Sequence, residues 1–133
     1  MSKITLVTGL WDIGRNNLND GWSRSYETYL EKFSKLLELD INLIIYGDDS
    51  LKEFVFNKRN PNNTQFVVRE KSWFVQNDYY EPIQKIRQDD RWINQVGWLK
   101  DSTQAKLDMY NPLVMSKMFL LNDAKILDKF DSD

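Results

Sequence analysis

The sequence predicts an α/β fold in which a mostly parallel sheet lies between two layers of helices, as in Rossmann-like three-layer α/β/α proteins. Two apolar runs rich in β-branched residues, at positions 4–8 and 41–46, are each followed by a glycine. A strongly periodic helical stretch lies between them, which is the order of a strand, a crossover helix and a second, parallel strand. We expect residues 1–133 to form a single α/β domain, since the chain is long enough to bury a core.

The first predicted strand covers residues 4–8, and the segment from 12 to 21 after it is rich in turn-forming residues. Ser23 is the predicted N-cap of the crossover helix. This helix has one wide apolar face, formed by Tyr26, Tyr29, Leu30, Phe33, Leu36 and Leu37.

The second predicted strand, residues 41–46, shows little alternation of apolar and polar side chains, as expected for a strand that is covered on both faces. Ser50 is the predicted cap of a short helix that carries Leu51, Phe54 and Val55. Residues 64–69 are the third predicted strand. Three strands separated by helices indicate a parallel core.

The second half of the chain has weaker patterns. Pro82 suits the first turn of a helix that ends near Asp90, whereas residues 92–99 show no clean period and their structure stays open. Asn111 is the predicted cap, and Pro112 the first residue, of the last helix. The predicted apolar side of this helix consists of Leu113, Val114, Met118, Leu121, and Ala124 or Lys125.

The composition excludes several classes of chemistry. The chain has no cysteine and no histidine, which excludes disulfides, thiolate metal sites, zinc sites of the usual kind and serine–histidine triads. A metal would therefore be held by oxygen, which favours magnesium, manganese or calcium. A net charge of −2 and a pI near 5.2 argue against duplex nucleic acid as a partner.

The sequence also bears on location. The first residues do not have the pattern of a secretory signal. A membrane helix needs about 20 consecutive apolar residues, and the sequence has no such run. We therefore expect a cytoplasmic location.

Candidate ligand-binding residues follow the predicted strands, because ligands of parallel sheets bind beyond the carboxyl ends of the strands. Gly9, Trp11 and Asp12 follow the first strand, and Gly47 and Asp48 follow the second. The aspartates can accept hydrogen bonds from ribose hydroxyls, and the indole can stack on a base or a sugar. Tight turns at the glycines, helix or turn caps at the aspartates and core packing of the indole are alternatives that stay open.

Two cations are candidate ligands for a diphosphate. Arg69 ends the third predicted strand and can bind phosphate in a bidentate manner, whereas Lys117 in the last helix would act as a point charge. A solvated side chain is the alternative for each of them. Asp131 and Asp133 have the spacing of an Asp-x-Asp metal site, although the residues before them are typical of a helix end and not of an apolar strand.

Four segments together resemble the HtrL/YibB family, a group of bacterial and viral proteins placed among the GT-A-type glycosyltransferase folds. They span nearly the whole chain in the same order: TLVTGLWDIGR at 5–15, RSYETYL at 24–30, LIIYGD at 43–48 and NPLVMSKMF at 111–119. The resemblance implies the nucleotide-binding half of a GT-A glycosyltransferase, a nucleotide-sugar-dependent transferase that builds surface glycans on a glycan acceptor. It also implies a divalent metal, Mn²⁺ or Mg²⁺.

The resemblance implies roles for particular residues. In GT-A folds the first strand ends under the nucleoside, which assigns donor binding to Thr8, Gly9, Trp11 and Asp12. Helical lysines placed as Lys117 is lie near the donor in many proteins of this fold class.

The sequence departs from the family pattern at its end. Members of the family continue into an aromatic-rich strand that ends in Ile-Asp, whereas this sequence ends at Asp133. We therefore expect an incomplete, N-terminal part of a GT-A-like domain that is inactive by itself. Either the sequence is a truncated gene product or an excised piece, or the remaining half comes from elsewhere. A homo-oligomer and the missing C-terminal half are the candidate protein partners. The alternative function is a non-catalytic α/β module for binding or assembly.

Overall fold

The computed structural model of the protein describes residues 3–18 and 21–133. Three parallel strands form one sheet in the order β1-β2-β3. Their bounds are Thr5–Leu10 for β1, Asn42–Gly47 for β2 and Thr64–Val68 for β3. The predicted α/β class with a parallel sheet is confirmed.

Seven α-helices lie in the described part of the chain. They are α1 (Tyr26–Leu37), α2 (Lys52–Phe56), α3 (Lys71–Val75), α4 (Tyr80–Arg87), α5 (Asp90–Ile93), α6 (Thr103–Lys106) and α7 (Tyr110–Leu127). Short 3-10 turns occur at Arg15–Asn17, Asp49–Leu51, Pro61–Asn63 and Leu99–Asp101. Across residues 3–18 and 21–133, no helix combines the length and the apolar character that a bilayer crossing requires.

The chain forms two compact units. The first unit consists of Met1–Trp11, Leu30–Glu70 and Lys117–Asp133, and it contains the whole sheet. The second unit consists of Asp12–Tyr29 and Lys71–Ser116.

The sheet of the first unit is covered on both faces. On one face, Leu43 and Ile45 of β2 pack against Phe33 and Leu37 of α1 and Val55 of α2. On the other face, the hydroxyl of the buried Tyr46 donates a hydrogen bond to the Leu120 carbonyl of α7 at 2.9 Å. The helix–sheet–helix layers agree with the predicted three-layer arrangement, and burial on both faces explains why β2 lacks alternation.

Helix α7 runs antiparallel to the strands within the first unit. Its Leu120 carbonyl lies at Tyr46, near the carboxyl end of β2. At the C-terminal end of α7, the Leu127 carbonyl accepts a hydrogen bond from the side-chain amide of Gln65, near the start of β3. Lys117, which precedes Leu120 by about one helical turn, therefore lies towards the carboxyl edge of the sheet.

Two predicted helix caps are wrong. The backbone N–H of Thr28 donates to Oγ of Ser25 at 3.1 Å, so Ser25 caps α1, while the hydroxyl of Ser23 donates to the Asn16 carbonyl. Asn111 lies inside α7, because this helix already begins at Tyr110. Its side-chain amide makes a tertiary contact by donating to the Gln104 carbonyl.

The other helix predictions need smaller corrections. Ser50 lies inside the 3-10 turn Asp49–Leu51, which the Leu51 N–H closes by donating to the Asp48 carbonyl, so it does not cap α2. Pro82 does lie in the first turn of α4, which ends at Arg87 and not near Asp90. In the predicted turn-rich segment 12–21, residues 19 and 20 lie outside the described residues.

The predicted apolar side of α7 is correct at Ala124 and wrong at Val114, Met118 and Leu121. The buried side consists of Pro112, Ser116, Leu120 and Ala124, whereas Val114, Met118, Leu121 and Lys125 are exposed. Apolar side chains occur on all sides of this helix, so periodicity alone does not select the face that is buried. The small side chains of Ser116 and Ala124 let the helix backbone approach its neighbours closely.

Candidate functional site

The candidate site lies at the carboxyl edge of the sheet in the first unit. We call this surface the rim and define it by Trp11, Asp48, Arg69 and Asp123. Backbone contacts join the strand ends here, since the Arg69 N–H donates to the Gly47 carbonyl at 2.9 Å. The indole Nε1 of Trp11 donates to the Arg69 carbonyl at 2.7 Å, which ties the chain after β1 to the chain after β3.

Trp11 packs on the bare backbone of Gly9. A Cβ atom at Gly9 would lie 2.7 Å from Cζ3 of the indole, so only glycine permits this approach. Trp11 is 9% exposed as a result. Gly47 is constrained in the same way, because its Cβ would lie 2.7 Å from Cδ2 of Leu51. Both glycines thus serve close packing at the strand ends, and neither has the positive φ of a glycine turn.

Arg69 is the cation of the rim. Its Cζ lies 5.6 Å from the centre of the Tyr46 ring, and Nη2 lies 3.8 Å from Oδ2 of Asp123. The side chains of Arg69 and Asp123 are 23% and 36% exposed, so solvent reaches both. A distance of 3.8 Å is longer than a hydrogen bond, and the ion pair is correspondingly loose. An anion from solution can therefore compete with Asp123 for the guanidinium.

The ring of the buried Tyr46 lies beside the guanidinium of Arg69. Burial raises the pKa of the Tyr46 phenol, because the phenolate would lose its hydration; the Arg69 charge lowers the pKa and the Asp123 charge raises it. The neutral hydroxyl donates to the Leu120 carbonyl. Tyr46 thus anchors α7 to the sheet and presents its ring to the guanidinium.

Carboxylates lie beside the end of β2. Asp48 follows this strand directly and is half-buried. The neighbouring Asp49 N–H donates to Oε1 of Glu70 at 2.9 Å, which brings a third carboxylate to the same edge. Carboxylates placed after parallel strands are suited to accept hydrogen bonds from ribose hydroxyls.

Three other predicted donor residues have different surroundings. Thr8 pairs with Ile45, so alternation places its side chain on the face of the sheet towards α1 and α2. Lys117 is exposed on α7 towards the rim. Asp12 belongs to the second unit, where its Oδ1 accepts from the Gly14 N–H at 3.1 Å in a turn.

The predicted metal pair lies at the opposite edge of the sheet. Oδ2 of Asp133 accepts a hydrogen bond from the Lys3 N–H at 2.9 Å, just before β1 begins. Asp131 is exposed, with φ at 53°. The structure therefore does not bring Asp131 and Asp133 together with Arg69. In the part of the chain that is described, no cluster of three or more carboxylates is placed to hold a metal ion.

A groove of about 480 Å³ lies on the α7 face of the sheet. Its apolar walls include Val7, Ile44 and Leu121, and its polar end includes Thr5 and Asp133. The groove has the size of a ligand pocket. It nevertheless lies towards the amino ends of the strands and contains none of the rim residues, so we place the candidate site at the rim.

The comparisons bear on the family of the chain. A family model described as "Bacterial protein of unknown function (HtrL_YibB)" matches residues 2–133. The chain belongs to the HtrL_YibB family. The match confirms the resemblance found in the sequence, and its description assigns no activity. Searches of the curated proteins and of the solved structures found no match.

Sequence reasoning missed Asp123 of the rim, and it also missed Tyr46, which lies beside Arg69, in this HtrL_YibB chain. Tyr46 stands directly before Gly47 and Asp48, and its place at the end of a buried strand was a signal that it borders the rim. Asp123 gave no such signal, because its pairing with Arg69 depends on how α7 packs on the sheet.

Proposed function

We propose that this chain is the nucleotide-sugar donor-binding part of a glycosyltransferase-like protein. The observation that carries the proposal is the position of Arg69 at the carboxyl edge of three parallel strands, next to Tyr46 and in a loose pair with Asp123. This edge is where α/β proteins bind nucleotides. The glycan class of the product comes from the resemblance to GT-A folds.

The chemistry of the rim fits a nucleoside diphosphate. The planar guanidinium of Arg69 can bind two phosphate oxygens at once, which replaces its loose pair with Asp123 by shorter, charge-assisted hydrogen bonds. Lys117 supplies a second, exposed cation on the same side of the sheet. Asp48 is the ligand that we assign to the ribose hydroxyls. Trp11 acts through the backbone, because its indole holds the Arg69 carbonyl in place.

A divalent metal would neutralise the diphosphate as the bond to the sugar breaks. Mn²⁺ and Mg²⁺ prefer oxygen ligands, and carboxylates are such ligands. We assign this role to neither Asp131 nor Asp133, because Asp133 accepts a hydrogen bond from Lys3 just before β1 begins, away from the rim. No ligands are assigned to the metal, and its effect is measured by adding Mn²⁺ in the binding experiment.

Isothermal titration calorimetry with UDP, GDP and CDP, with and without Mn²⁺, tests the proposal. We expect one nucleotide to bind and Arg69→Ala to weaken its binding at least about tenfold, since a charge-assisted pair is lost. Asp123→Asn should strengthen binding, because it removes a negatively charged competitor for the guanidinium. Arg91→Ala is the control, since Arg91 also pairs with a carboxylate, that of Asp89 at 2.9 Å, but lies in the second unit.

The opposite signs of the two rim variants make the test specific. If both variants merely disturbed the fold, both would weaken binding. Weaker binding by Asp123→Asn, or equal binding by Arg69→Ala and Arg91→Ala, would contradict the assignment of Arg69.

The alternative is a non-catalytic α/β module for binding or assembly. One observation favours it, because the outward side of α7 in the first unit carries exposed apolar side chains: Met118, Phe119, Leu121 and Ile126. Sedimentation equilibrium distinguishes the two functions. Self-association without binding of any nucleotide would favour the assembly module over the donor site.

A further inference from the structure

Two tryptophans of the second unit form an exposed aromatic pair. The ring centres of Trp22 and Trp98 lie 6.1 Å apart, and the ring planes differ by 24°, so the indoles are stacked. Trp98 is 56% exposed and Trp22 is half-buried. Such exposure is unusual, since a tryptophan side chain gains more free energy from burial than almost any other. The stacking on Trp22 nonetheless fixes the orientation of the exposed ring.

A glycine precedes each tryptophan of the pair. Gly97 precedes Trp98, and a Cβ atom placed there would meet nothing within 4 Å. The same is true of Gly21, which precedes Trp22. Neither crowding nor a positive φ requires a glycine at position 97, in contrast to Gly9, which the Trp11 ring constrains. With 56% of its surface exposed, Trp98 is accessible to a ligand.

The tryptophans Trp11 and Trp73 make contacts of a different kind from those of Trp22 and Trp98. Trp11 is buried and donates a hydrogen bond, and Trp73 packs edge-on against Phe74 with ring centres 5.1 Å apart. The neighbours Asn94 and Gln95 are exposed and provide amide groups close in sequence to Trp98. An exposed indole with exposed amides close to it in the sequence combines an apolar surface with hydrogen-bonding groups.

This combination matches the chemistry of a sugar ring. One face of a pyranose carries C–H groups that pack on an indole, whereas the hydroxyls around its edge need donors and acceptors such as amides. We propose that Trp98, held by Trp22, is the platform on which a pyranose residue of a glycan binds. The ligand class rests on the proposed function, in which a glycan is the acceptor of the transferred sugar.

Saturation-transfer NMR with short oligosaccharides of glucose, galactose, mannose and N-acetylglucosamine tests this inference. We expect saturation of the C–H protons on one face of a pyranose in the unmodified chain. Trp98→Ala should weaken this binding at least about tenfold, which is the scale of stacking on an aromatic ring. Ile86→Ala is the matched control, because Ile86 is an apolar residue of the second unit with a similar exposure of 52%.

A second variant keeps an aromatic ring at the exposed position. Trp98→Phe retains an apolar ring face and should keep part of the binding that Trp98→Ala loses. Circular dichroism should show all three variants folded, since each changed position is exposed.

Two outcomes would overturn the inference. The first is the absence of saturation transfer to every oligosaccharide, or equal transfer in the unmodified chain and Trp98→Ala. The second is a dimer in sedimentation that Trp98→Ala converts to a monomer, which would show that the pair is a protein contact. Calorimetry with nucleotides separates this test from the proposed function: glycan binding without nucleotide binding keeps the platform and removes the donor site.

Discussion

At the scale of single residues, Arg59 joins several segments of the first unit. It is buried, and its guanidinium makes five hydrogen bonds, to the oxygens of Leu37, Leu39, Ile41, Asn63 and Thr64. Two of these acceptors are carbonyls at and just beyond the end of α1, where helices leave carbonyls without internal partners. Arg59 thus joins the end of α1 to the starts of β2 and β3.

We expect Arg59→Met to lower the free energy of unfolding by about 3 kcal/mol or more, because four buried or partly buried carbonyls lose a charged donor at once. Arg59→Lys should recover little of this loss, since one ammonium cannot reach acceptors arranged around a planar group. Urea unfolding measures both changes. Lys58→Met is the control, because Lys58 is exposed and should change stability by no more than about 0.5 kcal/mol. Equal effects at positions 58 and 59 would contradict the role of Arg59.

At the scale of elements, α7 has a buried face and an exposed face, and both carry apolar side chains. Leu120 is 5% exposed and Met118 is 82% exposed, although they are two residues apart. We expect Leu120→Ala to cost about 2–4 kcal/mol of unfolding free energy, since it leaves a cavity against the sheet. Met118→Ala should change it by no more than about 0.5 kcal/mol. Thermal unfolding of both variants checks this, and similar losses would mean that the helix buries another face.

The elements also show what the sequence could predict. The apolar run of β2 has no alternation, and this pattern correctly indicated burial on both faces. The face of α7 was not predictable, because its apolar residues surround the helix and the small residues Ser116 and Ala124 decide how it packs. The caps at Ser23 and Asn111 failed because tertiary contacts use those side chains.

For the candidate site, too, the sequence predicted some features and not others. The strand ends placed Trp11, Asp48 and Arg69 at one edge, as their positions after the predicted strands indicated. The pairing of Arg69 with Asp123 could not be predicted, since it joins residues 54 positions apart through the packing of α7 (123 − 69 = 54). Arg59 was likewise hidden in a polar segment that has the composition of a surface loop.

At the scale of the whole molecule, the absence of histidine and cysteine limits the response to pH. Hydrogen bonds lower the pKa of two carboxyls: those from the Phe130 and Ser132 N–H groups at Asp128, and those from Arg91 at Asp89. Each of these carboxylates stabilises the fold above its unfolded pKa of about 3.9, and this contribution is lost as pH falls through the lower folded pKa.

At alkaline pH, two tyrosines make the stability of the fold decrease as the pH rises. Burial raises the pKa of Tyr46 and Tyr80, so these phenols stabilise the fold below the unfolded pKa of about 10 and lose that effect as pH rises through the folded pKa. We expect the free energy of unfolding to be nearly constant from about pH 6 to pH 9. It should decrease at lower pH and at higher pH than this range. Urea unfolding at a series of pH values checks this. A change of more than about 1 kcal/mol between pH 6 and pH 8 would contradict it.

The distribution of indoles has a practical consequence for spectroscopy. Trp11 is the one tryptophan of the first unit, and the remaining four, Trp22, Trp73, Trp92 and Trp98, belong to the second. An indole buried against a strand emits at a shorter wavelength than one in water, so the fluorescence of Trp11 reports on the sheet by itself. A comparison of the chain with a Trp11→Phe variant isolates this emission. The Trp11→Phe variant itself emits from the four tryptophans of the second unit, so comparing the two melting curves reveals whether the units melt in a single transition or in succession.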